Sequence, residues 1–154
     1  MIFLEKIEGL TPDISANLVE DTALKTLKHQ SAPADADLTI VLSDDIQLQE
    51  LNHQWMGVDA PTDVLSFPSD ETDPESGNRY LGDILISVQR AAEQAKTAGH
   101  TVEAEVQLLV VHGVLHLLGH DHAEASEKAK MWQAQDAIVA ALAAAPARPR
   151  RSGA

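Results

Sequence analysis

Four of the chain's seven histidines fall within eleven residues, in His112-Gly113-Val114-Leu115-His116-Leu117-Leu118-Gly119-His120-Asp121-His122. Side chains four apart on a helix lie one above the other on the same face. His112 and His116 can therefore direct two imidazoles at one point. Gly119 offers the left-handed backbone that commonly ends a helix, which lets the chain turn back and present His122. Three imidazoles with an open fourth position form the ligand set of a catalytic zinc. His120 competes with His122 for the third place, since it would continue the helical face if the helix ran on. The glycine and the spacing favour His122. The zinc-peptidase signature has the same three histidines and glycine, but it places a glutamate base directly after the first histidine. Gly113 occupies that position here.

Burying imidazoles in an apolar helix without partners is costly, and a metal ion removes that cost. Asp121 has two readings. It can cap the following helix, with Glu124 completing a capping-box-like pair, or it can orient a ligand imidazole from behind. His29, His53 and His100 stand alone near loops and read as surface residues. A second stretch, Pro61-Thr62-Asp63, runs straight into the strand-like Val64-Leu65-Ser66-Phe67 and a closing Pro68. Its plain reading is a turn followed by an edge strand. Asp83, inside an otherwise apolar segment, suggests a specific partner, because buried carboxylates are rarely left unpaired.

The elements that must position these residues intermix strands and helices. Residues 2–7 read as a strand. Thr11-Pro12-Asp13 has the hydroxyl cap, first-position proline and early acid of a helix start, and that helix continues to about His29. Leu38–Leu42 is a β-branched strand, and Ser43-Asp44-Asp45 caps a helix through Ile46, Leu48 and Leu51. Val64–Phe67 and Leu81–Ser87 are strands joined by the acidic, turn-rich 68–78 segment, which reads as a solvated connection. Helices follow at about 88–98, 102–118 and 123–144. The 102–118 helix has Thr101 as its cap and is apolar nearly all round from Val106 to Leu118, so it should be buried. Met131, Ile138 and Leu142 form one stripe on the last helix. The expected fold class is α+β, a single small mixed β-sheet packed with helices, with the zinc-binding helix followed by a C-terminal helix. One domain is expected over residues 1–145, with a disordered basic tail at 146–154.

The chain has 154 residues, a 44% apolar fraction and no cysteine, so any metal must sit on nitrogen and oxygen ligands. No apolar run approaches the roughly 18 residues of a membrane span, and the N-terminal residues lack a secretory layout. A cytoplasmic location and no membrane partner are expected. Twenty-four acids face eleven basic residues, for a net charge of −13, and Arg148, Arg150 and Arg151 lie in the last seven residues. Phosphate neutralisation supplies most non-specific nucleic-acid affinity, so weak binding to bare nucleic acid and no DNA partner are expected. An aromatic content of 3% argues against a base-stacking platform.

Together these segments resemble the bacterial YbeY family of rRNA maturation endoribonucleases. The family's His-Gly-x-Leu-His-Leu-x-Gly-x-Asp-His appears at 112–122, with His120 where an aromatic is common. Its Pro-Thr-Asp-Val-Leu-Ser-Phe-Pro is intact at 61–68, and its Gly-Asp-Ile-x-Ile-Ser stands at 82–87. The resemblance runs from about Leu38 to Leu142. It implies one Zn2+ per chain on His112, His116 and His122, which are also the catalytic residues. It further implies single-strand-specific RNA cleavage in small-subunit (16S) rRNA maturation and ribosome quality control, with the small ribosomal subunit, a ribosomal protein and a GTPase as partners. One departure stands out: many members carry an arginine thought to engage RNA where this chain has Met56. Arg79 and Arg90 are the candidates to compensate. The rival readings are a zinc hydrolase of another substrate, peptidase included, and a non-catalytic ribosome-assembly factor with structural zinc.

Overall fold

Alternating burial along Ala36–Ser43 (β2) places Leu38, Ile40 and Leu42 on one fully buried face at the centre of the molecule. A computed structural model describes residues 1–120 and 124–143. In it β2 pairs in parallel with Ile2–Lys6 (β1) on one side and with Arg79–Ser87 (β4) on the other. Val64–Pro68 (β3) pairs antiparallel to β4, so the sheet order is β1-β2-β4-β3 and the sheet is mixed. Parallel neighbours need a crossover connection, which the helices Ala16–His29 (α1) and Asp45–Met56 (α2) supply. At Gly82, where β4 faces Pro68, φ is 135° and a Cβ would collide with the carbonyl oxygen of Phe67. Glycine is what lets β3 approach there.

Val88–Ala98 (α3), Val102–Leu117 (α4) and Ala125–Ala143 (α5) complete the fold. The main core joins one sheet face to α1, α3 and α4, through residues such as Ile84, Ile86, Val106 and Val110. A smaller cluster of Leu48, Leu65 and Leu85 seats α2 on the opposite face. Val111 and Leu115 pack against Met131, Ile138 and Leu142, so the stripe expected on the last helix is the seam between α4 and α5. Helix α4 is apolar nearly all round because it touches α1, α3, α5, β3 and β4. The expected α+β fold, one mixed sheet packed with helices, is the observed one.

One helix boundary differs from expectation. Thr11-Pro12-Asp13 does not open α1; Ser15 does, its hydroxyl accepting from the Leu18 N–H at 3.3 Å. Lys6 at the end of β1 reaches the Asp13 carboxylate at 3.3 Å and the Ile14 carbonyl at 2.6 Å, tying residues 13–14 to the strand. Ile14 is buried just before the cap and joins the same core cluster as Val19, the arrangement of a hydrophobic staple. Among the described residues, no helix is long and apolar enough to cross a membrane. The domain boundary at 145 and the tail at 146–154 lie outside the described residues.

Candidate metal centre

Thr101 caps α4 by accepting from the Ala104 N–H at 3.1 Å, and the helix carries His112 and His116 on its last two turns. Their Nε2 atoms approach to 3.2 Å, with ring centroids 4.7 Å apart. Two imidazoles on one tetrahedral zinc, each with a bond of about 2.0–2.1 Å, hold their nitrogens about 3.3–3.4 Å apart. The pair therefore already has the spacing of two ligands on one zinc. Behind it, Gln135 Oε1 on α5 lies 2.9 Å from His112 Nδ1, and Gln135 is buried. An Nδ1–H donated to that oxygen leaves the Nε2 lone pair facing His116, as metal-binding histidines are usually held. The Trp132 ring lies 5.7 Å from that of His112, tilted by 34°.

Helix α4 ends at Leu117, and Gly119 takes φ 98°, as the glycine predicts. His120 then points elsewhere: its Nε2 lies 2.8 Å from Gln30 Oε1, just past the end of α1, and burial, then Lys130, lowers its pKa. His120 is thus committed away from the His112–His116 pair. His122 and Asp121 lie outside the described residues. Among the described residues no third histidine or carboxylate joins the pair in a metal-holding group.

The three lone histidines divide. His53 is exposed, and His29 is exposed beside Gln30. His100 is not simply a surface residue: its Nε2 is 2.6 Å from the buried Glu105 carboxylate. The turn at Gly99 folds it back over the first turn of α4, so Glu105 has a specific partner beyond the helix dipole.

Two cavities meet at His112. The larger, about 450 Å³, is lined by Met56, Thr62, Asp63, Ser66, His112 and His116 along the edge strand β3. The smaller, about 170 Å³, shares Asp63, Val64 and His112 and extends to Glu105, Trp132 and Gln135. Pro61-Thr62-Asp63 is therefore more than a turn. It brings a hydroxyl and a carboxylate to the histidines, anchored by the Ser87 N–H donating to the Asp63 carbonyl at 2.9 Å. Among the described residues neither cavity is lined by a lysine or arginine. Arg79 pairs with Asp70 at 3.7 Å, and Arg90 with Asp45 at 3.2 Å and Glu93 at 3.6 Å. Neither lines either cavity.

Gly113 faces the sheet. A Cβ there would come within 2.7 Å of Ile84 Cγ2. The position that carries a peptidase's glutamate thus points into the core. Asp83 has the partner its setting demanded, but away from the cavities: the Tyr80 hydroxyl bonds to it and to Thr39 Oγ1, the latter at 2.5 Å. Burial, then Asp83, pushes the Tyr80 pKa up to about 12.

Three site residues escape a motif-based reading: Gln135, Trp132 and Glu105. Gln135 did carry a signal, because it falls four residues after Met131 and three before Ile138, a polar residue on a buried stripe.

Comparison with known proteins places this geometry in a family. The family described as Endoribonuclease YbeY matches residues 5–143. The Endoribonuclease YbeY of Roseiflexus castenholzii is 43% identical over 134 residues, covering 84% of each chain. That of a Nocardioides species is 49% identical over 113 residues, covering 69% of this chain and 74% of its own. A Thermotoga maritima protein solved in solution aligns with a TM-score of 0.63 at 28% identity, covering 100% of this chain and 99% of that one. The chain belongs to the YbeY endoribonuclease family.

Proposed function

We propose that this protein is a zinc-dependent endoribonuclease that hydrolyses phosphodiesters of single-stranded RNA. The observation that carries the reading is the convergence of His112 and His116 at 3.2 Å on the wall of the cavity that also holds Asp63. The donor set fits zinc: neutral imidazoles, one of them oriented from behind by Gln135. His112, His116 and His122 would hold the ion, which supplies Lewis acidity and water activated near neutral pH. Thr62 and Ser66 offer hydroxyl donors to phosphoryl oxygens, and Asp63 offers a carboxylate to a proton in transfer. Gly113, turned into the core against Ile84, weighs against the peptidase alternative.

The biological setting in this reading is 16S rRNA maturation and ribosome quality control in the cytoplasm. An acidic chain whose two cavities at His112 have no lysine or arginine among their described lining residues suits a factor that meets RNA on the small ribosomal subunit, with a ribosomal protein and a GTPase as partners. The test replaces His112, His116 and His122 singly with alanine, then measures bound zinc and cleavage of single-stranded RNA. Loss of both together supports the reading; full cleavage by zinc-free variants refutes it. Rescue of rRNA maturation in cells by such a variant would instead favour a non-catalytic assembly role.

A further inference from the structure

We propose that Trp132 is the platform on which an unpaired base of the RNA strand stacks beside the scissile phosphate; this assignment rests on the hydrolytic reading above. The starting point is a deficit of cations. The chain carries a net charge of −13, and among the described residues no lysine or arginine lines the two cavities at His112. Lysine and arginine neutralisation of phosphates, the usual source of nucleic-acid affinity, is therefore not supplied by the described lining of these cavities, which leaves the metal as the cation to meet the phosphate. Stacking can add grip, because every base has a π-face whatever its sequence.

The aromatic residues are few, two tryptophans, one tyrosine and two phenylalanines, so their placement matters more than their number. Trp132 lines the smaller cavity at 5.7 Å from the His112 ring and keeps 36% of its surface exposed. Tryptophan is enriched at interfaces because it presents a large apolar ring with a polar edge. The cavity Trp132 lines shares Asp63, Val64 and His112 with the larger one along β3. A strand whose phosphate lies at the imidazoles can thus seat an adjacent base against Trp132. Met56 lines the larger cavity, and the preceding Trp55 is exposed with its ring edge-on to Phe67 at 6.4 Å.

The experiment uses the full-length, zinc-loaded protein with a labelled single-stranded RNA and a set of copies each missing one base. Wild type is expected to lose roughly five- to 150-fold in affinity when the stacked base is removed. Trp132→Leu should lose a similar factor on intact RNA and no longer distinguish the abasic copy, while Trp132→Phe keeps part of the discrimination. Bound zinc is measured in parallel. If Trp132→Leu still discriminates the abasic copy by the wild-type factor, the assignment is wrong and the endonuclease reading stands. Loss of zinc in both variants would make Trp132 a prop for His112 and also overturn it, as would unchanged RNA affinity in Trp132→Leu. Wild type that neither binds nor cleaves the intact strand would overturn both readings.

Discussion

Replacing Gln135 with leucine removes the acceptor at 2.9 Å from His112 Nδ1 and nothing else of comparable size. Gln135 is 7% exposed, and leucine of similar volume sits comfortably beside Met131 and Ile138 on the same stripe. Folding stability should fall by at most about 1–2 kcal/mol: helix propensity is nearly equal for the two residues, and the about 1–3 kcal/mol of leaving the part-buried His112 N–H without its acceptor is partly offset by burying leucine's apolar carbons. The effect should fall on the metal. Loss of a group that orients a ligand imidazole typically costs about 10–100-fold in metal affinity, or about 1.4–2.8 kcal/mol at tenfold per 1.4 kcal/mol. Competition with a chromophoric zinc chelator measures this directly. Gln135→Glu keeps an acceptor at the same place and should hold zinc at least as tightly as wild type. Excess zinc should restore RNA cleavage by Gln135→Leu, because His112 is left in place and only its preorganisation is lost. Zinc affinity of folded Gln135→Leu within twofold of wild type would refute the reasoning, and so would equal losses in the leucine and glutamate variants.

Three further outcomes are expected. Met56→Arg places a guanidinium on the wall of the 450 Å³ cavity; RNA affinity should rise, and its dependence on log salt should steepen by about 0.7, the value for one phosphate contact on a single strand. An unchanged salt slope would mean the arginine does not reach the backbone. Gly113→Ala forces a Cβ to 2.7 Å from Ile84 Cγ2; overpacking of about 1–3 kcal/mol against a helix-propensity gain of about 1 kcal/mol should leave a net loss near 1 kcal/mol in denaturant melts, and a stabilised variant would contradict the packing. Tyr80→Phe removes a hydroxyl bonded to Asp83 and Thr39 and should cost about 1–3 kcal/mol. Because the folded pKa of Tyr80 is raised to about 12, its contribution is whole below pH 10 and fades as pH rises through 12; a stability gap from Tyr80→Phe that stays constant across that window would argue against the shift.

What could be read from the sequence was what one helix fixes by itself. The 112/116 pairing follows from helical spacing alone, and the Thr101 cap and Gly119 stop bound that helix by local chemistry. Readings failed where a distant partner decides. Thr11 and Ser15 are both plausible caps, and the choice falls to Ser15 because Lys6 holds Asp13 and the Ile14 carbonyl against β1. His100 looked solitary because Glu105 served well enough as a helix-dipole residue; only the Gly99 turn brings the two together. Gln135 lies 23 residues from His112, and their meeting depends on how α5 packs on α4. The 3% aromatic content likewise carries no position: the Trp132 ring stands 5.7 Å from that of His112, a placement composition does not show.

Gly113 joins the fold to the chemistry. A helix that presents His112 and His116 to one side turns the residue after His112 through about 100°, here onto Ile84 of β4. A glutamate at 113 would be a carboxylate buried among aliphatic carbons, so this packing and a peptidase's base exclude each other. The proton traffic of hydrolysis must then be served from another wall of the cavity. Asp63 is the carboxylate there, and it is placed by the β3–β4 pairing, since the Ser87 N–H that ends β4 holds the Asp63 carbonyl. On the proposed hydrolytic reading, the same two strands thus close off one position for a base and place Asp63 to serve as another. On that account Asp63→Asn should impair cleavage while leaving zinc bound, whereas a glutamate introduced at 113 should destabilise the fold without creating peptidase activity.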